Sequence, residues 1–402
     1  MHLAAASRIA DGAPERPRVL ILYPNLKPGG GGEAVAAWML DALQDTCRLS
    51  LITWRRPDFG AVNRWYGTSI RSSAVTVHTV PLAARAIVDA APLRLALLRT
   101  ALVMSAGRHL FDGYDIVISA ENEFAVGRRI VQYVHYPRFL RPRPAFDGRW
   151  FHRIPGAVRA YWAVCDRMLD RSEADISRNV TLANSAVQAE CVRTMYPSAG
   201  VSVLYPPVAP SAAPLVDWER RENGFVCIGR FAGEKDHAAV IDIVAAVRRA
   251  VPGVRLHFAG TRATRAGFRQ LLRLVRPHRS WIEIHEDLSR RDLGALIARH
   301  RYGIHGMADE HFGIGPAEMA AAGSIIFLPA GGGQVEIVRG DARVLYRSRG
   351  DAVAKILRVI GDAAEQASLR AHLDACSRSF TADRFVTSMR EIVAGLHPAG
   401  VA

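Results

Sequence analysis

Residues 18–43 read RVLILYPNLKPGGGGEAVAAWMLDAL, and their order decides the fold. Residues 18–23 are a short apolar run, four glycines occupy 29–32, and residues 34–43 carry apolar side chains at helical spacing. Strand, glycine loop, helix is the opening of a β-α-β unit. Further strands are predicted at 49–53, 75–80, 116–119, 130–135, 180–183 and 201–205. The pattern then restarts, with strands at 225–228, 255–259, 281–285, 302–305, 324–327 and 343–346 and a helix at 238–250. Two such series predict an α/β chain of two Rossmann-like, doubly wound parallel-sheet domains facing a central cleft. The joint is Tyr205-Pro206-Pro207-Val208-Ala209-Pro210, whose prolines continue neither a helix nor a central strand. The domains are therefore read as 17–206 and 207–381, with a C-terminal helix in 382–402 expected to return to the first. Residues 1–16 read as a loose N-terminal tail without the apolar core of a signal peptide.

Composition narrows the partners. Lys and Arg number 52 against 38 Asp and Glu, a net charge of +14, and such a surplus favours an anionic partner. The five cysteines, Cys47, Cys165, Cys191, Cys227 and Cys376, are scattered, with no C-x-x-C. Their pattern argues against a zinc site or a disulfide framework and for a reducing compartment. No run approaches the roughly 20 apolar residues of a membrane span, so any membrane contact is expected to be peripheral.

Chemistry concentrates in the second half. Glu310-His311-Phe312-Gly313-Ile314-Gly315-Pro316-Ala317-Glu318 follows a predicted strand, and Pro316 suits the first turn of a helix. The free amides of a helix start bind anions, and paired carboxylates accept from sugar and ribose hydroxyls. Taken alone, Glu318 is equally read as a complement to the helix dipole. Gly229-Arg230-Phe231-Ala232-Gly233-Glu234-Lys235 places two cations at a strand end, where they can neutralise a diphosphate or form an ordinary exposed basic turn. Gly331-Gly332-Gly333-Gln334-Val335-Glu336 repeats the strand, glycine loop, helix pattern, or is a plain tight turn.

Together these three motifs resemble glycosyltransferase family 4 of the GT-B fold. Its signature is Gly-Arg-x4-Lys, then Glu-x7-Glu, then Gly-Gly-x-x-Glu, and all three occur here in that order. Val134-His135-Tyr136-Pro137, Asn184-Ser185 and Leu204-Tyr205-Pro206-Pro207 further resemble the dolichol-linked oligosaccharide α-1,2-mannosyltransferases. The N-terminal membrane anchor of those enzymes is not expected here. The resemblance implies a retaining, metal-independent hexosyltransferase, with mannose as one expected sugar. Its donor would be a GDP- or UDP-linked sugar, acting as co-substrate with no cofactor. The acceptor would be a glycan or a polyprenyl-phosphate-linked glycan at the cytoplasmic face of a membrane. Carried over by motif, Arg230 and Lys235 hold the donor diphosphate, Glu310 binds the transferred sugar and Glu318 binds the ribose. Phe312, Gly313 and Ile314 approach sugar and phosphate, the loop of Gly30, Gly31 and Gly32 closes over the phosphates, and His135 lies beside the sugar. No D-x-D occurs in the chain, in keeping with Arg and Lys replacing a metal.

Two stretches admit two readings. Residues 138–162 mix Arg138, Arg141, Arg143, Arg149 and Arg153 with Phe139, Phe146, Trp150, Phe151 and Trp162. They fit a lipid pyrophosphate at an anionic membrane, or a solvated loop with some rings in the core. Residues 82–110 fit an interfacial amphipathic helix or a core-facing one. Two rival functions also fit parts of the chain. One is a nucleotide-sugar epimerase or hydrolase of the same fold. The other is a basic nucleic-acid-binding protein, although no helix-turn-helix, zinc-finger or RNA-binding motif occurs and nucleic acid is not an expected partner.

Overall fold

The computed structural model describes residues 16–90, 95–140, 155–169 and 172–397. Most of the N-terminal tail, and Arg141, Arg143, Phe146, Arg149, Trp150, Phe151 and Arg153, lie outside the described residues.

The first lobe holds β1 (Arg18–Leu22), β2 (Arg48–Thr53), β3 (Val75–Thr79), β4 (Ile116–Ser119), β5 (Val131–Val134), β6 (Val180–Ala183) and β7 (Val201–Val203). The second holds β8 (Glu222–Ile228), β9 (Arg255–Gly260), β10 (Ile282–Glu286), β11 (His300–Ile304), β12 (Ile325–Pro329) and β13 (Leu345–Tyr346). Their orders are β3-β2-β1-β4-β5-β6-β7 and β10-β9-β8-β11-β12-β13. The pairings between these strands are all parallel. Each order reverses once, between β1 and β4 and between β8 and β11, and ligands of such sheets bind at the carboxyl ends of the strands beside the reversal. The glycine loop after β1 and the Gly229–Lys235 loop after β8 both leave from those ends.

Buried strands explain the continuous apolar runs. Val19, Leu20, Ile21 and Leu22 are all fully buried, as expected of a parallel sheet covered on both faces. The helix Gly31–Leu43 buries Val35, Met39 and Leu40 against the sheet and packs on the last helix, Ala382–Leu396. That helix turns Phe385, Met389 and Val393, four residues apart, into the first-lobe core. The two chain crossings between the lobes run side by side: Val208 N donates to Phe380 O at 2.8 Å and Ala382 N to Val208 O at 3.1 Å.

Three local expectations are corrected. The helix predicted from residue 34 starts at Gly31, because two glycines and Glu33 still meet helical geometry once packing supplies the stability that propensity withholds. The Gly331–Glu336 motif ends in a 3₁₀ turn, Gly333–Val338, rather than an α-helix. Residues 82–110 form two helices, Leu82–Ala90 and Ala96–Arg108. The second buries Ala101, Val103 and Met104 and faces the core, whereas Leu82 and Ile87 of the first are exposed.

Candidate active site

Between the lobes, at the carboxyl ends of both sheets, lies a cleft of about 510 Å³. This falls in the roughly 300–1,000 Å³ range of small-molecule sites. Every site residue named from the sequence lines it: Arg230, Lys235, Glu310 and Glu318, with Phe312, Gly313 and Ile314, on one wall, and Gly30, Gly31, Gly32 and His135 on the other.

On the second-lobe wall the chemistry centres on Glu310. Lys235, in the 3₁₀ turn Gly233–Lys235, donates from Nζ to Glu310 Oε2, and both side chains are 14 % exposed. His305, the residue after β11, is 1 % exposed and places Nε2 3.0 Å from the same oxygen. Burial works against the Glu310 charge, but Lys235 and His305 outweigh it and hold the carboxyl well below the usual range. Burial pushes His305 down, so its ring is neutral, and facing an ionised carboxylate its Nε2 carries the proton. Lys235 thus also pairs with a carboxylate, a contact the sequence reading did not give it. Arg230 forms a loose ion pair with Glu234 at 3.6 Å, and its half-exposed guanidinium also lines the cleft, within reach of an anion there.

The helix Ile314–Ala321 begins two residues before Pro316, with Gly313 as N-cap at φ +99°, where a side chain would be strained. The Phe312 ring packs on Tyr205 and Phe380, at 5.7 and 5.3 Å. Glu318 accepts from Arg290, the first residue of the helix Arg290–Arg299, and both are largely buried.

On the opposite wall, Tyr66 Oη accepts from the amides of Gly29 (2.9 Å) and Gly30 (3.2 Å) and donates to Lys27 O (3.0 Å), fixing the approach to the helix. A Cβ on Gly32 would lie 2.9 Å from Tyr23 Oη and 3.5 Å from His135 Nε2, so the helix start rests directly on these two side chains. His135 follows β5; its amide donates to Asn122 Oδ1 at 2.8 Å, and its Nε2 donates to Ala120 O at 3.0 Å. Burial lowers its pKa, so the ring is neutral with Nδ1 bare. Glu33 lines the same wall, its pKa raised by burial and by Glu121 against the lowering effect of Arg230.

Sequence reasoning missed His305, Arg290, Asn122, Tyr66 and Glu33. Only His305 carried a usable signal, since it ends a predicted strand on the side where ligands bind. Glu336 of the third motif lies outside the cleft. Its carboxylate accepts from the amides of Ala186 (3.0 Å) and Val187 (3.3 Å), at the start of the helix Ala186–Met195, and from Tyr205 Oη (2.9 Å). Beside it Ser185 Oγ donates to His311 O at 2.8 Å, and the rings of Tyr136 and His311 stack at 4.6 Å. The motif also braces the site, through Gly333 N donating to Glu310 O at 2.8 Å. Arg138, read from sequence as part of a lipid-facing segment or of a solvated loop with some rings in the core, is buried and donates to Glu121 O, and the Phe139 ring beside it is in the core.

Residues 216–375 match the family described as Glycosyl transferases group 1. Two curated relatives are GDP-Man:Man(3)GlcNAc(2)-PP-Dol alpha-1,2-mannosyltransferases. That of Neurospora crassa is 28 % identical over 255 residues, 51 % of this chain and 45 % of the relative. That of Candida glabrata is 27 % identical over 258 residues, 55 % of this chain and 46 % of the relative. The match thus spans about half the length of each. Among solved structures, WaaG, a glycosyltransferase involved in lipopolysaccharide biosynthesis, superposes with a TM-score of 0.71 at 14 % identity, covering 94 % of this chain and 100 % of WaaG. Sucrose-phosphate synthase from Thermosynechococcus elongatus gives 0.71 at 15 % identity, covering 96 % and 100 %. The Arg230, Lys235, Glu310 and Glu318 wall of the cleft therefore belongs to a glycosyl transferases group 1 domain, carried in a two-lobed GT-B scaffold.

Proposed function

We propose that this chain is a retaining hexosyltransferase that moves a sugar, mannose first among the candidates, from a nucleoside diphosphate donor to a lipid-linked or glycan acceptor. The observation that carries the reading is the Lys235–Glu310–His305 group, set opposite the start of the helix Gly31–Leu43 across one cleft. An ionised Glu310 is a strong acceptor for sugar hydroxyls. A diphosphate leaving group needs cations and amides where its charge develops. Arg230, Lys235 and the amides opening the helices at Gly31 and Ile314 supply both. Glu318, oriented by Arg290, is available to the ribose. His135 packs beneath Gly32 and positions the helix start beside the sugar. Retention follows if the acceptor attacks from the face of the departing phosphate, which then takes its proton. Arg and Lys then stand in for a metal at the diphosphate. The mannose assignment and the lipid-linked acceptor draw support from the two mannosyltransferase relatives.

Among the described residues no helix is long and apolar enough to cross a membrane. Contact with an anionic membrane face through the exposed Leu82 and Ile87 and the net positive charge suits a lipid-linked acceptor.

The test is to incubate the full chain with GDP-mannose, UDP-glucose or UDP-N-acetylglucosamine, each with and without a polyprenyl-pyrophosphate-linked glycan, in magnesium-free buffer. Acceptor-dependent mannose transfer with the α-configuration kept is expected. Free sugar or an isomer from donor alone would favour the hydrolase or epimerase reading. Activity appearing only on adding Mg²⁺ would overturn the role given to Arg230 and Lys235.

A further inference from the structure

A second group of chemically active side chains lies on the second sheet, away from the cleft. His257 sits on β9, and Glu283 and His285 sit on β10. The parallel register places Glu283 beside His257, and the two-residue period puts Glu283 and His285 on one face. His257 Nδ1 lies 3.0 Å from His285 Nε2. Glu283 Oε2 lies 3.8 Å from each of these nitrogens. Donor atoms on a tetrahedral zinc, with bonds of about 2.0–2.1 Å, stand roughly 3.4 Å apart. A triangle with sides of 3.0, 3.8 and 3.8 Å brackets that spacing, so small side-chain rotations suffice to close it on a cation.

The surroundings of His257 are also rich in histidine. The His257 side chain is 6 % exposed and His300, the first residue of β11, is 1 % exposed; their rings lie 4.4 Å apart. His300 Nδ1 donates to Leu296 O at 2.7 Å, which leaves its Nε2 bare. Neither His257 Nε2 nor His300 Nε2 has a hydrogen-bond partner. A cation on His257 Nδ1 partners neither of these atoms, so they describe the buried, histidine-rich setting of the cluster and not its ligands. With no cation, His257 and His285 must share one proton across their contact.

Charge sorts the ligands further. Burial, His300 and His285 together push His257 down to about 3, and burial pushes His285 down. Glu283 Oε1 is taken by Arg255 at 3.1 Å, which leaves Oε2 turned to the histidines. Arg255 and Arg299 are the opposing positive charges, and Glu222 Oε2, 3.7 Å from His300 Nε2, is a further negative one. None of the cysteines takes part, which is why cysteine spacing gave no sign of the site.

We propose that His257 Nδ1, Glu283 Oε2 and His285 Nε2 bind a divalent transition-metal cation of the zinc class, with water completing the tetrahedron, as a staple between β9 and β10. Two imidazoles and a carboxylate suit zinc, rather than the all-oxygen shells of magnesium or calcium. Along β9, His257 precedes the cleft residue Gly260 by three positions, about 10 Å at roughly 3.3 Å per residue. The cation therefore stabilises the lobe that holds the candidate donor site and takes no part in sugar transfer. Binding only the folded form, it raises the melting temperature as its free concentration exceeds its dissociation constant.

The experiment strips the full chain with a chelator, removes the chelator by dialysis, and titrates ZnCl₂ by calorimetry while following Tm. One zinc per chain and a zinc-dependent rise in Tm are expected. Co²⁺ should give the absorption of a four-coordinate site. His285→Ala should lose stoichiometric binding, the cobalt spectrum and the rise in Tm while keeping the metal-free Tm. Glu283→Gln, at a side chain 48 % exposed and so harmless to the fold, should weaken binding by at least the roughly tenfold that losing an outer partner alone costs. No zinc bound to the wild-type chain, or the same stoichiometry and affinity in both variants, would overturn the proposal.

Discussion

At the scale of single residues, Lys235 and Glu310 are one unit rather than two independent ligands. Each is 14 % exposed, and each neutralises the other. Removing one partner of a buried pair leaves a charge without compensation, at a cost of up to about 3–5 kcal/mol where burial is complete. Lys235→Met and Glu310→Gln should therefore each lower Tm as well as transfer. The double variant should regain much of the Tm, because no lone charge remains, while transfer stays down by about 100-fold or more, the scale of losing a preorganised electrostatic group. Differential scanning fluorimetry beside a steady-state transfer assay reads both. If the double variant recovered activity along with Tm, the pair would be structural only. The pair was half legible in the sequence: Glu-x7-Glu and Gly-Arg-x4-Lys point to both residues, but nothing in a linear spacing says that they touch across 75 positions. Arg290 on Glu318 was illegible for the same reason, being one basic residue in an Arg-rich chain until the fold sets it against the carboxylate.

Elements were easier to read than contacts. Alternating apolar strands and amphipathic helices are local patterns, and each of the predicted strands is present with its ends moved by three residues at most, so the two sheets follow. The exceptions are instructive. Glycine has poor helix propensity, so residues 31 and 32 read as loop, yet both belong to the helix Gly31–Leu43. Their presence is explained by what a side chain would meet. At Gly32 that is Tyr23 Oη at 2.9 Å and His135 Nε2 at 3.5 Å. Gly32→Ala should thus raise intrinsic helix stability by up to about 1 kcal/mol while pushing the helix start off its support. Displacements of about 1 Å at a reacting geometry cost on the order of 100-fold. The expected outcome is a Tm near or above that of the parent with transfer down by about 10- to 100-fold. Unchanged transfer would mean that the helix start does not set the position of the donor.

At the scale of the whole molecule, Glu336 makes three polar contacts between the lobes. It sits in the second lobe and accepts from Ala186 N, Val187 N and Tyr205 Oη, so one carboxylate caps a first-lobe helix and ties down the residue that opens the interlobe joint. Hydrogen bonds to a charged group contribute about 1.5–3 kcal/mol each at most, and an anion at a helix start adds to them. Ser185 on His311 O and the Tyr136–His311 stack act in parallel a short distance away. A lobe contact centred on one anion depends on that anion. Glu336→Gln keeps the shape but removes the charge and turns one acceptor into a donor, which then faces either the Val187 amide or the Ala186 amide with the Tyr205 hydroxyl. The unliganded variant should therefore open, with a larger radius of gyration by small-angle scattering, while the double crossing at Val208 and Phe380 keeps the lobes joined. Donor affinity should fall, since binding must then supply the closure energy that Glu336 supplies in the parent chain. Chain melting should change little, because none of the three hydrophobic clusters contains this residue. A scattering profile identical to the parent, with donor affinity unchanged, would place the closure energy in the remaining contacts and leave Glu336 as an ordinary helix cap.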